Sequence, residues 1–479
     1  MDMKGLIFVG MVLWEACCMA NANFVFPVER KFKGPVTSLS AIKDHDAARH
    51  GRLLSAVDIN LAGTGLPNSV GLYFTKIKLG TPANDYWVQV DTGSDLLWVT
   101  CSGCASCATR SSIKGVELSL YDPAASNTSS IVACDEEFCN ATLIPGRAPP
   151  CQVSKFCPYN IQYGDGGTTN GMYVRDLLTY NLVDSDLNTS FANSTVYFGC
   201  GVNQAGTLDS NGDGSLSGIM GFGQASTSVL SQLAAAGKAR KIVSHCLDTV
   251  RGGGIFAIGE VVEPKLNTTK LRTGMVHYNI ILKDLEVGDE TLALPIDIFG
   301  SGNGRGTVID SGTTLAYLPS AAYEQIMKKI LDSQPDLNLI TIEQQFTCFI
   351  YEGNVDEGFP VVKFVFEGIS LEVYPHDYLF PFRDDMRCVG WQRSAQSKSS
   401  RDTFLLGDLV LSNKLVMYDA ENMEIGWTEY NCSSSIKVKD ETTGAVYTVG
   451  AHNLSSASSI LIGRILAFSL IILAFLTTF

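Results

Sequence analysis

The sequence predicts a mainly β chain folded as two related lobes, and three observations predict it. One loop occurs twice, 219 residues apart, as Val90-Asp91-Thr92-Gly93-Ser94-Asp95-Leu96-Leu97-Trp98 and as Ile309-Asp310-Ser311-Gly312-Thr313-Thr314-Leu315-Ala316-Tyr317. From Val70 to Trp427, aromatic and β-branched runs are punctuated by Gly, Asn and Asp, the signature of short strands joined by turns. Long helical periodicity is scarce, and short helices are expected only at 228–236 and 321–332. A length of 479 residues exceeds one typical domain, which suits two lobes with accessory segments.

Composition narrows the class. Hydrophobic residues make up 46% and charged residues 18%, enough for sizeable cores and too apolar for a disordered chain. A net charge of −14 and a pI near 4.9 repel phosphate backbones, so no nucleic-acid partner is expected. Of 14 cysteines, Cys17 and Cys18 fall in a leader, which leaves an even number. Seven Asn-X-Ser/Thr sequons, at Asn127, Asn140, Asn188, Asn193, Asn267, Asn431 and Asn453, accompany them. Paired cysteines and N-glycosylation sequons together point to the secretory route.

In chain order, residues 1–22 read as a signal peptide: Lys4, an apolar run from Leu6 to Trp14, then Ala20-Asn21-Ala22. Residues 23–69 are locally basic, with Arg30, Lys31, Lys33, Lys43, Arg49 and Arg52 against Glu29, Asp44 and Asp46. A basic segment ahead of an acidic body reads as a pro-segment that covers a negative cleft. The first lobe spans 70–245. Gly71 to Gly80 and Tyr86 to Val90 are strands separated by a turn at Thr81-Pro82, the second running into Asp91. An insertion at 101–157 carries seven cysteines and little apolar material. Cys101, Cys104 and Cys107 have metal-ligand spacing, but no histidine lies near, so disulfides and no metal are expected. Eight cysteines in the first lobe and four in the second allow pairing within each lobe.

The lobe boundary is expected between about Cys246 and Leu271, where Arg251-Gly252-Gly253-Gly254 and Glu263-Pro264 interrupt the strand pattern, and the second lobe is taken as 246–432. Residues 433–455 are polar and read as a stalk. Residues 456–479 close on an apolar run from Ile465, preceded by Ser455-Ser456-Ala457-Ser458 and a short spacer with Arg464. Small residues, spacer and apolar terminus form a glycosylphosphatidylinositol attachment signal, with Ser455, Ser456 or Ser458 as the attachment residue. The run is short for a bilayer span.

The duplicated loop carries the chemistry. Gly after the hydroxyl residue permits a tight turn that presents Asp. The flanking hydroxyls can hydrogen-bond a carboxylate. An Asp that ends an apolar run is costly to bury alone. Two brought together can share one proton, so that Asp91 and Asp310 would be one ionised and one neutral. The ionised member takes a proton from water while the neutral one donates to a carbonyl oxygen. This is hydrolysis with no covalent intermediate, metal or cofactor.

On these loops the chain resembles the pepsin-type aspartic proteases, particularly the plant nepenthesin-like, membrane-anchored members, from about Gly71 to Trp427. Tyr163-Gly164-Asp165-Gly166 resembles the substrate-covering flap, with Tyr163 hydrogen-bonding toward Trp98. Ile219-Met220-Gly221 and Leu405-Leu406-Gly407 resemble the segments that thread beside each Asp loop. The cysteine-rich stretch resembles the nepenthesin-like insertion. The resemblance implies a bilobal pepsin-like fold with a catalytic cleft between the lobes, Asp91 and Asp310 as the catalytic pair, and Ser94 and Thr313 bonding their outer oxygens. It implies Thr92 and Ser311 clasping the loops, and Asp95 as structural. His245 and His277 have no nucleophile motif around them, and Gly-x-Ser-x-Gly is absent.

The expected function is an aspartic endopeptidase, made as a zymogen, active at acidic pH on peptide or protein substrates. It is expected to be monomeric and glycolipid-anchored at the outer face of the plasma membrane. Competing readings are a catalytically silent inhibitor or surface-binding protein on the same fold, and a structural glycoprotein.

Overall fold

The computed structural model describes residues 56–64, 71–142, 155–208, 214–295, 298–299, 306–342, 346–383, 385–394, 403–441 and 443–452. The leader, most of the basic segment, Asn453 and the C-terminal signal with Ser455, Ser456 and Ser458 lie outside them.

The repeat read from sequence is a repeat of topology. In the first lobe the strand Asn84–Asp91 delivers Asp91 and pairs in parallel with Gly218–Gly221, Asp91 opposite Gly221. That strand pairs antiparallel with Trp98–Thr100, which leaves the loop and runs parallel to the long strand Asn188–Ala205. In the second lobe Gly306–Ile309 leads into Asp310 and pairs in parallel with Thr403–Leu406, which is antiparallel to Ala316–Leu318. Ala316–Leu318 in turn runs parallel to Trp391–Arg393. Parallel neighbours need long crossovers, which explains why each Asp loop and its threading segment are far apart in sequence. The four-residue strands at the centre are buried throughout, so they read as apolar runs without alternation.

The glycine ending each threading segment has a steric reason. A Cβ on Gly221 would lie 2.3 Å from the Asp95 carbonyl carbon, and one on Gly407 would lie 2.1 Å from the Thr313 oxygen. The Asp loops pass directly over these glycines, and Phe222 and Asp408 then donate backbone bonds to Asp91 and Thr313 at 2.7 Å each.

Strands from both halves share one 15-stranded sheet, in which Ile242–Leu247 pairs with Gly254–Ile258 on one side and Lys414–Asp419 on the other. The proposed lobe boundary at 245/246 therefore falls inside a strand, where His245 pairs with Phe256 and Val416. Disulfides stay within each half: Cys101–Cys200, Cys104–Cys107 and Cys139–Cys157 in the first, Cys246–Cys432 and Cys348–Cys388 in the second. The two expected helices form as Val229–Ala235, capped by the Ser228 hydroxyl, and Ser320–Asp332.

Two segments differ from expectation. Ala56–Thr64, inside the segment assigned to a pro-segment, forms the strands Val57–Asp58 and Leu61–Thr64 of the body. The polar stretch read as a stalk folds as a hairpin, Ser435–Lys439 with Val446–Gly450, paired to Glu260–Glu263. Its alternation is period-two: Ile436 and Val438 turn inward while Lys437 faces water. Low overall apolar content hid a strand that needs only every second residue to be apolar. Ile436 packs in a core with Ala56, Ile255 and Val449. Ile436→Ala should therefore cost about 2–4 kcal/mol of stability in urea unfolding, whereas a free stalk would show no change.

Candidate active site

Asp91 and Asp310 end their strands on equivalent loops and are 6% and 8% exposed. Each is held by its own loop in the same way. Gly93 N–H donates to Asp91 Oδ1 at 2.8 Å, and the Ser94 hydroxyl donates to Oδ2. Gly312 N–H and the Thr313 hydroxyl donate to Asp310 Oδ1 and Oδ2, both at 2.7 Å. These four bonds leave the facing sides of the carboxyls toward each other, and the two side chains interact directly.

The loops interlock. A Cβ on Gly93 would lie 2.4 Å from Asp310 Oδ1, and one on Gly312 would lie 2.0 Å from Asp91 Oδ1. Each glycine is thus the floor on which the other loop's carboxylate rests, and no side chain fits there. Ser311 N–H donates to Thr92 Oγ1 at 2.8 Å. The expected clasp is one-sided, because Ser311 Oγ has no partner among the described residues. Gln89 Nε2 donates to Gly312 O at 3.1 Å and the Thr314 hydroxyl donates to Gly71 O, adding two further bonds between the halves.

Burial raises the Asp91 pKa, the charge of Asp310 raises it further, and the bonds from Ser94 and Gly93 offset part of the shift. Asp91 therefore holds its proton well above the usual carboxylate range.

The flap residues assemble as read. Tyr163 follows the strand Pro158–Gln162, and Gly166, at φ +88°, turns the chain so that Tyr163 N–H donates to Gly167 O at 2.8 Å. Trp98 Nε1 donates to the Tyr163 hydroxyl at 2.7 Å. Gly164 is exposed at the turn. Burial and the Asp91 charge both push the Tyr163 phenol pKa upward, so it stays a neutral donor. Asp95 is structural: it accepts from Ala225 N–H at 2.8 Å, and Gly223 packs against its carboxylate.

Asp408 escaped the sequence reading, and His245, set aside there for want of a nucleophile motif, lies in the core. Asp408 follows Gly407, is 1% exposed, and has an Oδ1 with no hydrogen-bond partner among the described residues. Burial and then the charges of Asp310 and Asp91 push its pKa well above the ordinary carboxylate range. Its signal was the one used for the two loops, a carboxylate closing an apolar run. His245 is fully buried, with Nε2 3.0 Å from the Tyr418 hydroxyl and Nδ1 without a partner among the described residues. Burial alone pushes its pKa down to about 3. His277 is exposed, and its backbone carbonyl accepts from Gln224. The six described sequon asparagines, Asn127, Asn140, Asn188, Asn193, Asn267 and Asn431, are all exposed.

Two family models match in sequence order, Xylanase inhibitor N-terminal over residues 73–260 and Xylanase inhibitor C-terminal over 277–429. Aspartic proteinase 39 of Arabidopsis thaliana is 49% identical, over 92% of this chain and 91% of its own. The chain belongs to the xylanase-inhibitor-like, pepsin-fold aspartic proteinase family. Aspartic proteinase 36 of Arabidopsis thaliana is 48% identical over 92% of this chain and 90% of its own. Aspartic proteinase nepenthesin-1 of Nepenthes gracilis is 28% identical over 81% and 85%. Among solved structures, basic 7S globulin from soybean superposes with a TM-score of 0.60 at 17% identity, covering 79% of this chain and 96% of that one. Conglutin gamma from lupine seeds gives 0.62 at 16% identity, with coverage of 79% and 96%. The family models divide between residues 260 and 277, a gap that overlaps the window of about 246–271 read from sequence.

Asp408 and His245 tilt stability in opposite directions with pH. Asp408 binds its proton more tightly folded than unfolded, so its contribution is present below the ordinary value of 3.8 and lost as pH rises. His245 contributes fully above its ordinary 6.5 and loses that stability as pH falls toward about 3. Asp408→Asn should flatten the neutral side of the stability–pH curve and His245→Phe the acid side, each by at most about 1.4 kcal/mol per pH unit. Urea unfolding from pH 3 to 8 reads both slopes.

Proposed function

We propose that this protein is an aspartic endopeptidase whose nucleophile is a water held between Asp91 and Asp310. One observation carries the reading: two buried carboxyls rest on each other's interlocked loops, each held by a backbone N–H on Oδ1 and a hydroxyl on Oδ2. With one proton on the pair, the ionised carboxylate takes a proton from water as its oxygen attacks the peptide carbonyl carbon. The neutral carboxyl gives its proton to the carbonyl oxygen, forming a neutral tetrahedral diol. Collapse of the diol with protonation of the amide nitrogen breaks the C–N bond and restores the pair. Tyr163, tied to Trp98, would cover the bound peptide and keep bulk water out.

Activity is then highest at acidic pH and falls as pH rises through the elevated Asp91 pKa, where the shared proton is lost. It falls again in strong acid, when both carboxyls are protonated. Asp91→Asn should lower kcat/KM for peptide cleavage by about 10³-fold or more, measured across pH 2–8 on the processed protein. Cleavage that survives the substitution overturns the assignment.

The second reading, a silent binding protein on the same fold, is favoured by the inhibitor names of the matching family models and the seed globulins among the structural neighbours. Pepstatin separates the two, since it mimics the tetrahedral intermediate and binds only an intact, protonated pair.

For location, the reading is secretion followed by glycolipid anchoring through Ser455, Ser456 or Ser458. Exposed sequons and intrachain disulfides support the secretory part, and the small-residue, spacer and apolar pattern supports the anchor. Phosphatidylinositol-specific phospholipase C should release the protein from intact cells. Retention after treatment, with a control anchored protein released, overturns the anchor.

A further inference from the structure

We propose that Asn193 carries an N-linked glycan and that its innermost N-acetylglucosamine lies flat on the ring of Phe191. The inference rests on the secretory reading and goes beyond it, by singling out one sequon and giving its sugar a binding platform on the protein.

Phe191 is 77% exposed, more than any other phenylalanine among the described residues. It lies in the strand Asn188–Ala205, where exposure alternates: Phe191, Asn193 and Thr195 face water while Ser194 and Val196 are buried. Period two therefore puts the ring, the acceptor asparagine and the hydroxyl of the sequon Asn193-Ser194-Thr195 on one face. Two residues of strand separate ring from amide by about 6.7 Å. One pyranose ring, attached at the Asn193 amide and leaning back along the strand, fills that gap.

The chemistry of this face fits a sugar better than a protein. Thr179 stands opposite Asn193 with Lys78 beyond it, and Asn181 stands opposite Phe191. All three are partly exposed. A lone ring among polar side chains is not the contiguous apolar patch of several hundred Å² that marks a protein interface. A pyranose matches it. The C–H face of the sugar is apolar and slightly positive, suited to the negative face of an aromatic ring. Its hydroxyl and acetamido groups lie around the edge, where Thr179 and Asn181 can hydrogen-bond them.

A second sequon shows what the pattern alone does not supply. Of the seven, two have an aromatic residue two places before the asparagine, Phe191 before Asn193 and Phe138 before Asn140, both as Phe-x-Asn-x-Thr. Phe138 and Asn140 lie in the helix Glu137–Thr142, where residues two apart point about 200° away from each other. The Phe138 ring is also committed, stacked on Tyr197 with centroids 3.9 Å apart and planes at 8°. The same five-residue pattern thus makes a platform on the strand and none on the helix.

Attachment uses a lipid-pyrophosphate-linked oligosaccharide as donor. The Asn193 side-chain nitrogen bonds C1 of the N-acetylglucosamine and gives up one proton. The C1–O bond to the carrier breaks, and the pyrophosphate leaves with that electron pair.

The test uses the full chain secreted from a eukaryotic host that makes high-mannose glycans. Glycopeptide mass spectrometry should find Asn193 modified. Urea unfolding then compares the wild type, Phe191→Ala, Asn193→Gln and the double variant. Phe191→Ala should lower the midpoint by about 0.3 M when the glycan is present and leave it unchanged in the Asn193→Gln background. Phe191→Tyr should keep the wild-type midpoint. Trimming with endoglycosidase H, which leaves only the innermost sugar, should preserve the difference. An equal effect of Phe191→Ala in both backgrounds overturns the contact. An unmodified Asn193 beside other occupied sequons overturns the inference and leaves the secretory reading intact, whereas no glycan at any sequon overturns both.

Discussion

Two carboxyl groups that would each be too costly to bury alone are buried together, and the fold is arranged around that fact. Three bonds cross between the loops' neighbourhoods, from Ser311 to Thr92, Gln89 to Gly312 and Thr314 to Gly71. The glycines opposite each carboxylate leave room for nothing else. The pair exists only while both loops are seated, so anything that parts the halves also strands two buried charges. Stability of the interface and competence of the site are one requirement.

That requirement explains features remote from the site. The threading glycines Gly221 and Gly407 let each loop lie flat on its own lobe. Strands from both halves merge into one sheet, so the halves are not beads on a linker. The N-terminal strand, the C-terminal hairpin and the Cys246–Cys432 disulfide gather on the same strands, Ile242–Leu247 and Gly254–Ile258. Acid chemistry sets its own tension here. Asp91 and Asp408 favour low pH because their protons are held tightly, while His245, neutral and buried, resists it. The molecule is thus balanced between carboxyls that prefer acid and an imidazole that does not.

Legibility followed periodicity and motif strength. The loops, the flap tyrosine and both short helices were readable because each has a local reason: a turn glycine, a hairpin of glycines, an N-cap serine before an apolar stripe. The hairpin at 435–450 was missed because averaged polarity conceals period-two alternation, with Ile436 and Val438 flanked by lysines. Ala56–Thr64 was missed because a two-residue strand carries no pattern of its own. It is a strand only because Ile258 and Leu182 wait on either side of Val57. Asp408 was passed over although it sits beside a motif that was noticed, since its meaning depends on what lies across the loop.

By itself the sequence determined the duplication, the two carboxylates, the hydroxyl partners and the cysteine-rich character of the first half, because these follow from residue types at short spacing. Only the tertiary structure decided that the carboxyls meet, that the clasp runs one way, that Asp408 is buried with an Oδ1 that has no partner among the described residues, and that Ala56–Thr64 and the 435–450 hairpin pair with the body. Those are long-range relations. They depend on which backbone groups are left to pair and which volumes are left to fill, and no window of neighbouring residues contains either.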